Sequence, residues 1–479
     1  MAKTKISEWS STPGSNTDID GINLAEGMVP SDVNNALREM MSQIKDLQSA
    51  NGTYYTANSD AIAVGAGGTG AITAASARTN LGITATGADT TYNYRANNLS
   101  DVASASTART NLGLAIGTDV QAYNSNLQGI SQGGYSAFKN RIINGNMAID
   151  QRNAGASVSP TNLAYTLDRW FAGLTQSSKF TVQQNAGAVT PPAGFSKYLG
   201  ATSSSAYSVL TGDTFYIAQS IEGFNCADLA WGTASASSVT LSFWVRSSLT
   251  GTFGGSITNR TARSYPFSYT ISAANTWEQK TVTIAGDTSG TWATDNTASV
   301  SVYFGLGSGA TYSGTSGAWA GSVLVQPTST TSVVGTSGAT FYITGVQLEK
   351  GSTATSFDYR PYGTELALCQ RYYYRNVGVP SGRVANGYCS STTAAQITLN
   401  FPTTMRINPS ALEQSGTAGD YGVVLAVGGI TCTSVPTHAI ATPSCATISY
   451  TTGASLTTGQ AVTSYSINSN GYLGWSAEL

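Results

Sequence analysis

At 479 residues the chain has room for about three domains of ordinary size. Only 10% of its residues are charged and the formal net charge is −2, against about 25% charged residues in a typical soluble protein; this excludes an electrostatic hold on nucleic acid or on an anionic membrane surface. The 52 glycines, with abundant Ser, Thr, Ala and Asn, predict short strands joined by tight polar turns, hence a mainly β chain.

The opening residues, MAKTKISEW, hold no apolar run of signal length, and no stretch is long enough to span a bilayer, so neither secretion nor membrane insertion is expected. Residues 1–29 read as an extended, glycine-punctuated arm. Asp18 and Asp20 before Gly21 have the look of a calcium loop, but its twelfth position is Val29, where a bidentate Glu is required.

Pro30 to Gln48 reads as an amphipathic helix, with Pro30 just outside and Ser31 or Asp32 as the cap. Val33, Leu37, Met40, Ile44 and Leu47 fall at steps of four, three, four and three, a heptad seam. Asn34, Arg38, Gln43, Lys45 and Asp46 lie off the seam and keep the remaining faces wet. A lone helix of this size must bury its stripe on something. Residues 30–50 are expected to form a short parallel coiled coil between identical chains; packing within the helix's own domain is the alternative.

A repeat follows. Ala77-Arg78-Thr79-Asn80-Leu81-Gly82 recurs as Ala108-Arg109-Thr110-Asn111-Leu112-Gly113. Thr73 and Ser104 are placed to cap two short helices, each ending in Leu and then Gly. Each unit has too little apolar surface for a core of its own, so 51–139 reads as a thin shaft completed by neighbouring copies, or else as a flexible linker.

From about Asn140 alternating runs appear: Ser238–Arg246, Thr281–Ile284, Ser299–Phe304 and Phe341–Leu348, the last with a bulge expected at Gly345. They indicate an antiparallel β-sandwich over 140–362. Asp168-Arg169-Trp170 reads as a structural ion pair beside a core aromatic. A second β region, 363–479, opens with Gln370-Arg371-Tyr372-Tyr373-Tyr374-Arg375. Ile397, Leu399 and Phe401 alternate, FPTTMRINPS supplies a turn and another short strand, and Tyr465, Tyr472 and Trp475 crowd the end.

The five cysteines, Cys226, Cys369, Cys389, Cys432 and Cys445, are odd in number and widely spaced. They match neither a disulfide framework nor the close pairs of a zinc site, so five buried, reduced thiols made in a cytoplasm are expected. His438 is the only histidine, which leaves no His-based triad or multi-His metal site; no cofactor or metal is expected.

Several segments together resemble a bacteriophage tail fibre. ISEWSSTPGSNTDIDGINLAEGMVPSDVNNALREMM is similar to the virion-attachment leader of such fibres, and GGTGAITAASARTNLG to their shaft repeat. NRIINGNMAIDQR, LDRW and ITGVQLEKGSTATSFDYRPYGTELALCQRYYYR resemble the brackets of a fibre β-sandwich domain of carbohydrate-binding-module or jelly-roll type, and FPTTMRINPS a turn of the tip domains. The resemblance implies an elongated homotrimer located in the virion and made in the host bacterial cytoplasm. Residues 1–29 would attach to tail or adaptor proteins, and the β-rich tip at 363–479 would adhere to a host polysaccharide or lipopolysaccharide. With two recognisable repeats the shaft would be short. In such a protein the sequon Asn259-Arg260-Thr261 has no meaning.

Some phage fibres cleave surface polysaccharide, which takes two carboxylates about 5–10 Å apart. Beyond residue 365 the acids are Glu413, Asp420 and Glu478, and in the sandwich they stand singly; a non-enzymatic adhesin is expected. A tailspike-like depolymerase and a structural head or neck fibre are the alternatives. Sugars are held by flat aromatic faces, with amides and hydroxyls meeting the ring hydroxyls. Each such contact is weak, about 1 kcal/mol, and multiplied by three tips. Tyr388, Tyr465, Tyr472 and Trp475 are the candidate glycan contacts.

Overall fold

The computed structural model describes residues 2–24, 27–50, 71, 73–82, 104–114, 138–426, 428–453 and 455–479. It divides into two compact units, Met1–Tyr123 and Asn124–Leu479.

In the first unit helix α1 spans Pro30–Ala50. Pro30 lies inside the helix as its first residue rather than outside it, where a missing N–H costs nothing. Asp32 in the first turn complements the positive end of the helix dipole. The arm is not extended. It forms two 3₁₀ turns, Ile6–Glu8 and Pro13–Ser15, and a miniature hairpin pairing Asp18–Ile19 with Ile22–Asn23. Asp20 and Gly21 take positive φ at its tip, as a tight hairpin turn requires. This arm folds back on the helix. Gln43, expected in water, is 4% exposed; its side chain accepts from Trp9 Nε1 at 3.2 Å and donates to the Lys3 carbonyl at 2.9 Å.

The seam is a different face. Val33, Leu37 and Ile44 are 41%, 53% and 50% exposed, and Met40 is half-buried. Leu47 belongs to the helix, but its side chain lies outside the described residues. Helices α2 (Ala74–Asn80) and α3 (Ala105–Asn111) form where the repeats stand, with Thr73 and Ser104 accepting the Ser76 and Thr107 amides. Gly82 and Gly113 close them at positive φ. Neither helix buries a residue, and Leu81 and Leu112 are exposed. The rest of 51–137 lies outside the described residues.

In the second unit two antiparallel sheets enclose one core. The first sheet runs, in spatial order, Ser264–Ile271, Gly251–Thr258, Ala298–Ser308, Thr214–Glu222, Trp170–Leu174 and Ala164–Leu167. The second runs Glu278–Ile284, Val239–Ser247, Thr340–Lys350, Leu199–Ser203 and Phe180–Gln184. Val239, Leu241, Phe243 and Val245 are fully buried, as their alternation requires. The register shifts between Thr344 and Gln347. Gly345 sits there at φ +60°, where a Cβ would meet the Phe195 ring at 2.6 Å. Strand Thr214–Glu222 is buried at every position, because both of its faces are covered: Phe215 and Ile217 point into the core, Tyr216 and Ala218 pack with Val325, and Glu222 meets Arg371 and Tyr372.

Helix α4 (Tyr362–Gln370), absent from the sequence reading, leads into the second β region. A seven-stranded antiparallel sheet runs Gly428–Thr431, Tyr421–Leu425, Ala461–Ser466, Arg383–Cys389, Ala394–Asn400, Cys445–Thr451 and Thr437–Ala441. A three-stranded sheet of Tyr373–Val377, Tyr472–Ser476 and Glu413–Gln414 accompanies it. Ile397, Leu399, Val423, Ile448, Val462, Leu473 and Trp475 are buried in a second core. FPTTMRINPS makes the turn but not the strand; it is pinned by buried Met405 and by Arg406, which donates to Ala477 O at 2.7 Å and Asn296 O at 2.8 Å. Among the described residues no helix is long and apolar enough to cross a membrane.

Candidate functional site

In an antiparallel sheet, alternate residues share a face and directly paired residues point the same way. In the seven-stranded sheet, Ala395, Ile397, Leu399, Ala446, Ile448, Tyr450 and Val462 face the core. The opposite face therefore carries Asn386, Tyr388, Gln396, Thr398, Thr447, Ser449, Thr463 and Tyr465. It is a polar surface bound together by its own side chains: Thr463 Oγ1 donates to Asn386 Oδ1 at 2.8 Å, and Gln396 Nε2 to Ser449 Oγ at 3.3 Å.

Two of the four candidate tyrosines and tryptophans share this face. Tyr388 is 54% exposed and pairs with Ala461. Tyr465 stands four residues further along the Ala461 strand, roughly 13 Å away at strand spacing. Its side chain lies across the neighbouring strands, because Gly422 and Gly429 offer no side chains: a Cβ would come within 2.5 Å of the ring at Gly422 and 2.7 Å of the hydroxyl at Gly429. The exposed Arg383 guanidinium stands 5.5 Å from the ring centroid. On this part of the sheet opens a cleft of about 340 Å³ lined by Arg383, Asn386, Gly387, Val424, Ala461 and Thr463, among others; neither tyrosine is part of its lining. Arg383 and Asn386 are not among the candidate contacts that the sequence singles out. The signal was there, since Asn386 stands two residues before Tyr388, in the same phase.

The other two candidates lie elsewhere. Tyr472 is half-buried, with the Arg375 guanidinium 3.5 Å over its ring, so one aromatic face is already covered. Trp475 is fully buried, stacked on Tyr374 at 6.1 Å and edge-on to Phe401 at 5.3 Å. It is a core residue, not a surface contact; Leu473, in the same phase, marks that face of the strand as apolar.

The charged residues concentrate where α4 and the three-stranded sheet meet the sandwich. Arg169 pairs with Glu478 rather than with Asp168, and its guanidinium stacks 3.6 Å from the Tyr372 ring. Asp168 accepts from the Gln151 backbone and side-chain amides, both at 2.6 Å. Burial raises its carboxyl to about 7, against those hydrogen bonds. Trp170 is core, as expected. At Glu222 burial would raise the carboxyl, but hydrogen bonds from Arg371 and Tyr372 prevail and hold it below the usual carboxylate range. Glu413 and Glu478 meet at Arg152, 3.6 and 3.3 Å from its guanidinium, beside a cleft of about 340 Å³ that Tyr165 also lines. Glu478 is bound by Arg169 as well, and Glu413 accepts from Tyr373 Oη at 2.7 Å.

The thiols are unpaired: four are buried and Cys445 is half-buried. Burial lifts Cys226 and Cys432 to about 12, far from a reactive thiolate. Asn259 is held in a turn, its Oδ1 accepting from the amides of Thr261, Ala262 and Arg263. Among the described residues no group of three or more His, Cys, Asp and Glu side chains converges.

No protein-family model matches the sequence, and no curated protein matches it. Solved structures are similar in part. The enzymatically active domain of tailspike protein 4 of bacteriophage CBA120 aligns at 13% identity and TM-score 0.24, over 45% of this chain and 22% of its own. The family 11 carbohydrate-binding module of Clostridium thermocellum, in complex with a mixed-linked tetrasaccharide, aligns at 11% and 0.22, over 41% of this chain and 98% of its own. TmCBM61 in complex with β-1,4-galactotriose aligns at 10% and 0.23, over 44% and 99%. Likenesses this faint carry no argument, and the site is read from its own residues.

Proposed function

We propose that the chain is the subunit of a trimeric virion fibre, anchored through its N-terminal region, that adheres to a host-surface glycan through the outward face of its C-terminal sheet. One observation carries the adhesive reading. Tyr388 and Tyr465 share one face of the sheet with a cleft lined by Asn386 and Thr463, and the underside of that face is packed into a core. Such a surface suits a chain of sugars, since ring C–H faces lie on the tyrosines while Asn386 and Thr463 meet hydroxyls.

Assembly into a trimer is supported by the seam of α1. The arm covers a neighbouring face of the helix through Gln43, and Val33, Leu37 and Ile44 stay exposed. Leu81 and Leu112, which directly follow α2 and α3, are exposed as well. Three copies closing on these residues would remove them from water at about 25 cal/mol per Å² of apolar surface.

The meeting of Glu413 and Glu478 beside a cleft supports a second reading, a polysaccharide depolymerase. Against it, both carboxylates already serve Arg152, and Glu478 also serves Arg169. Incubating the protein with host polysaccharide separates the readings. The adhesin retains the polymer and releases no new reducing ends or unsaturated sugars. Turnover that Glu413→Gln abolishes would establish the depolymerase, and failure to bind host cells would point to a structural head or neck fibre.

A further inference from the structure

The seven strands of the C-terminal sheet contain no Asp or Glu and a single Arg, Arg383. On a protein with a net charge of −2, whose other arginines in this unit are largely tied into ion pairs and backbone contacts, a lone cation on an open face is a local exception. Among the described residues no ion pair joins Arg383 to a carboxylate. Its guanidinium is instead placed near the Tyr465 ring, a contact that limits where it points without neutralising it. It also lines the cleft, together with Asn386 and Thr463.

From this placement we infer that the face takes an acidic glycan, one whose sugars bear carboxylates, with Arg383 receiving the carboxylate and Tyr465 the adjoining ring. The inference rests on the adhesive reading above and adds the ligand's charge to it. A guanidinium offers a planar fork matched to a carboxylate, so the pair forms two parallel hydrogen bonds where a neutral hydroxymethyl forms at most a weak one. With no acid on the sheet, nothing there repels the ligand. With one cation only, the face has no general affinity for polyanions such as nucleic acid, and selectivity requires the aromatic contact as well. Asn386 contributes next to it: its Oδ1 accepts from Thr463, which orients the amide and leaves the Nδ2 protons to a sugar oxygen.

The test is an array of bacterial surface polysaccharides, acidic and neutral, probed with the intact protein and repeated after the uronic carboxyls have been reduced to hydroxymethyls. Retention of acidic polymers, lost on reduction, is expected. Arg383→Gln should weaken that binding roughly 10- to 100-fold, and Arg383→Lys should restore part of it. Because Arg383 is exposed, the thermal midpoint of both variants should match that of the parent. Strongest binding to a neutral polymer, or equal binding by Arg383→Gln, would overturn the inference and leave the adhesive reading standing. Binding to no polysaccharide at all would overturn both.

Discussion

Two aromatic residues of the C-terminal region show what the surroundings make of one chemistry. Trp475 is enclosed between Tyr374 and Phe401, and Tyr388 stands on an open face. Trp475→Ala should cost about 3–5 kcal/mol in urea unfolding. Tyr388→Ala should stay within about 0.5 kcal/mol of the parent while lowering glycan retention. Asp168 supplies a pH signature. Its folded carboxyl titrates at about 7, above the ordinary 3.8, because burial disfavours the charged form. Between pH 4 and 7 the folded chain therefore holds a proton that the unfolded chain has released, so this contribution is largest near pH 4, falls as pH rises, and levels off above 7. Glu222 acts in the opposite sense: its lowered carboxyl contributes stability above the unfolded value, and that contribution is lost as acid protonates it. Asp168→Asn should remove the pH 4–7 slope, up to about 4 kcal/mol, and leave the acid limb in place. An unchanged slope would show that Asp168 ionises normally in the folded chain.

At the scale of elements, what the sequence made legible were local rules. Thr73 and Ser104 cap, Gly82 and Gly113 stop, and Gly345 shifts the strand phase, each settled by neighbours within a few residues. Partnerships across long stretches of chain were not legible. Gln43 is buried because an arm folds back over it, and Arg169 reaches Glu478 across 309 positions. Thr214–Glu222 shows no alternation because Arg371, Tyr372 and Val325 cover the face that would otherwise be wet. Of the proposed face, the sequence offered Tyr388 and Tyr465 only as aromatic candidates of the C-terminal region. Arg383 and Tyr465 could be brought together only by strand pairing, which the sequence does not state. Substitutions on two faces of α1 tell those faces apart. Leu37→Asp or Ile44→Asp should dissociate the proposed trimer while the arm stays folded. Gln43→Ala should free Trp9 and speed proteolysis of the arm, with the assembly mass unchanged.

For the whole molecule, the second unit has two enclosed cores, and in the first Val33, Leu37 and Ile44 of α1 and the leucines that follow α2 and α3 are exposed. In the proposed trimer a shared interior between copies would cover those residues and would place three copies of one weak glycan face on a single particle, where effective concentration raises avidity by factors of roughly 10²–10⁴. Sedimentation equilibrium of the purified full-length protein tests this most directly. The account predicts a species of three times the 49.4 kDa chain mass that persists on dilution; a stable species at 49.4 kDa would contradict it.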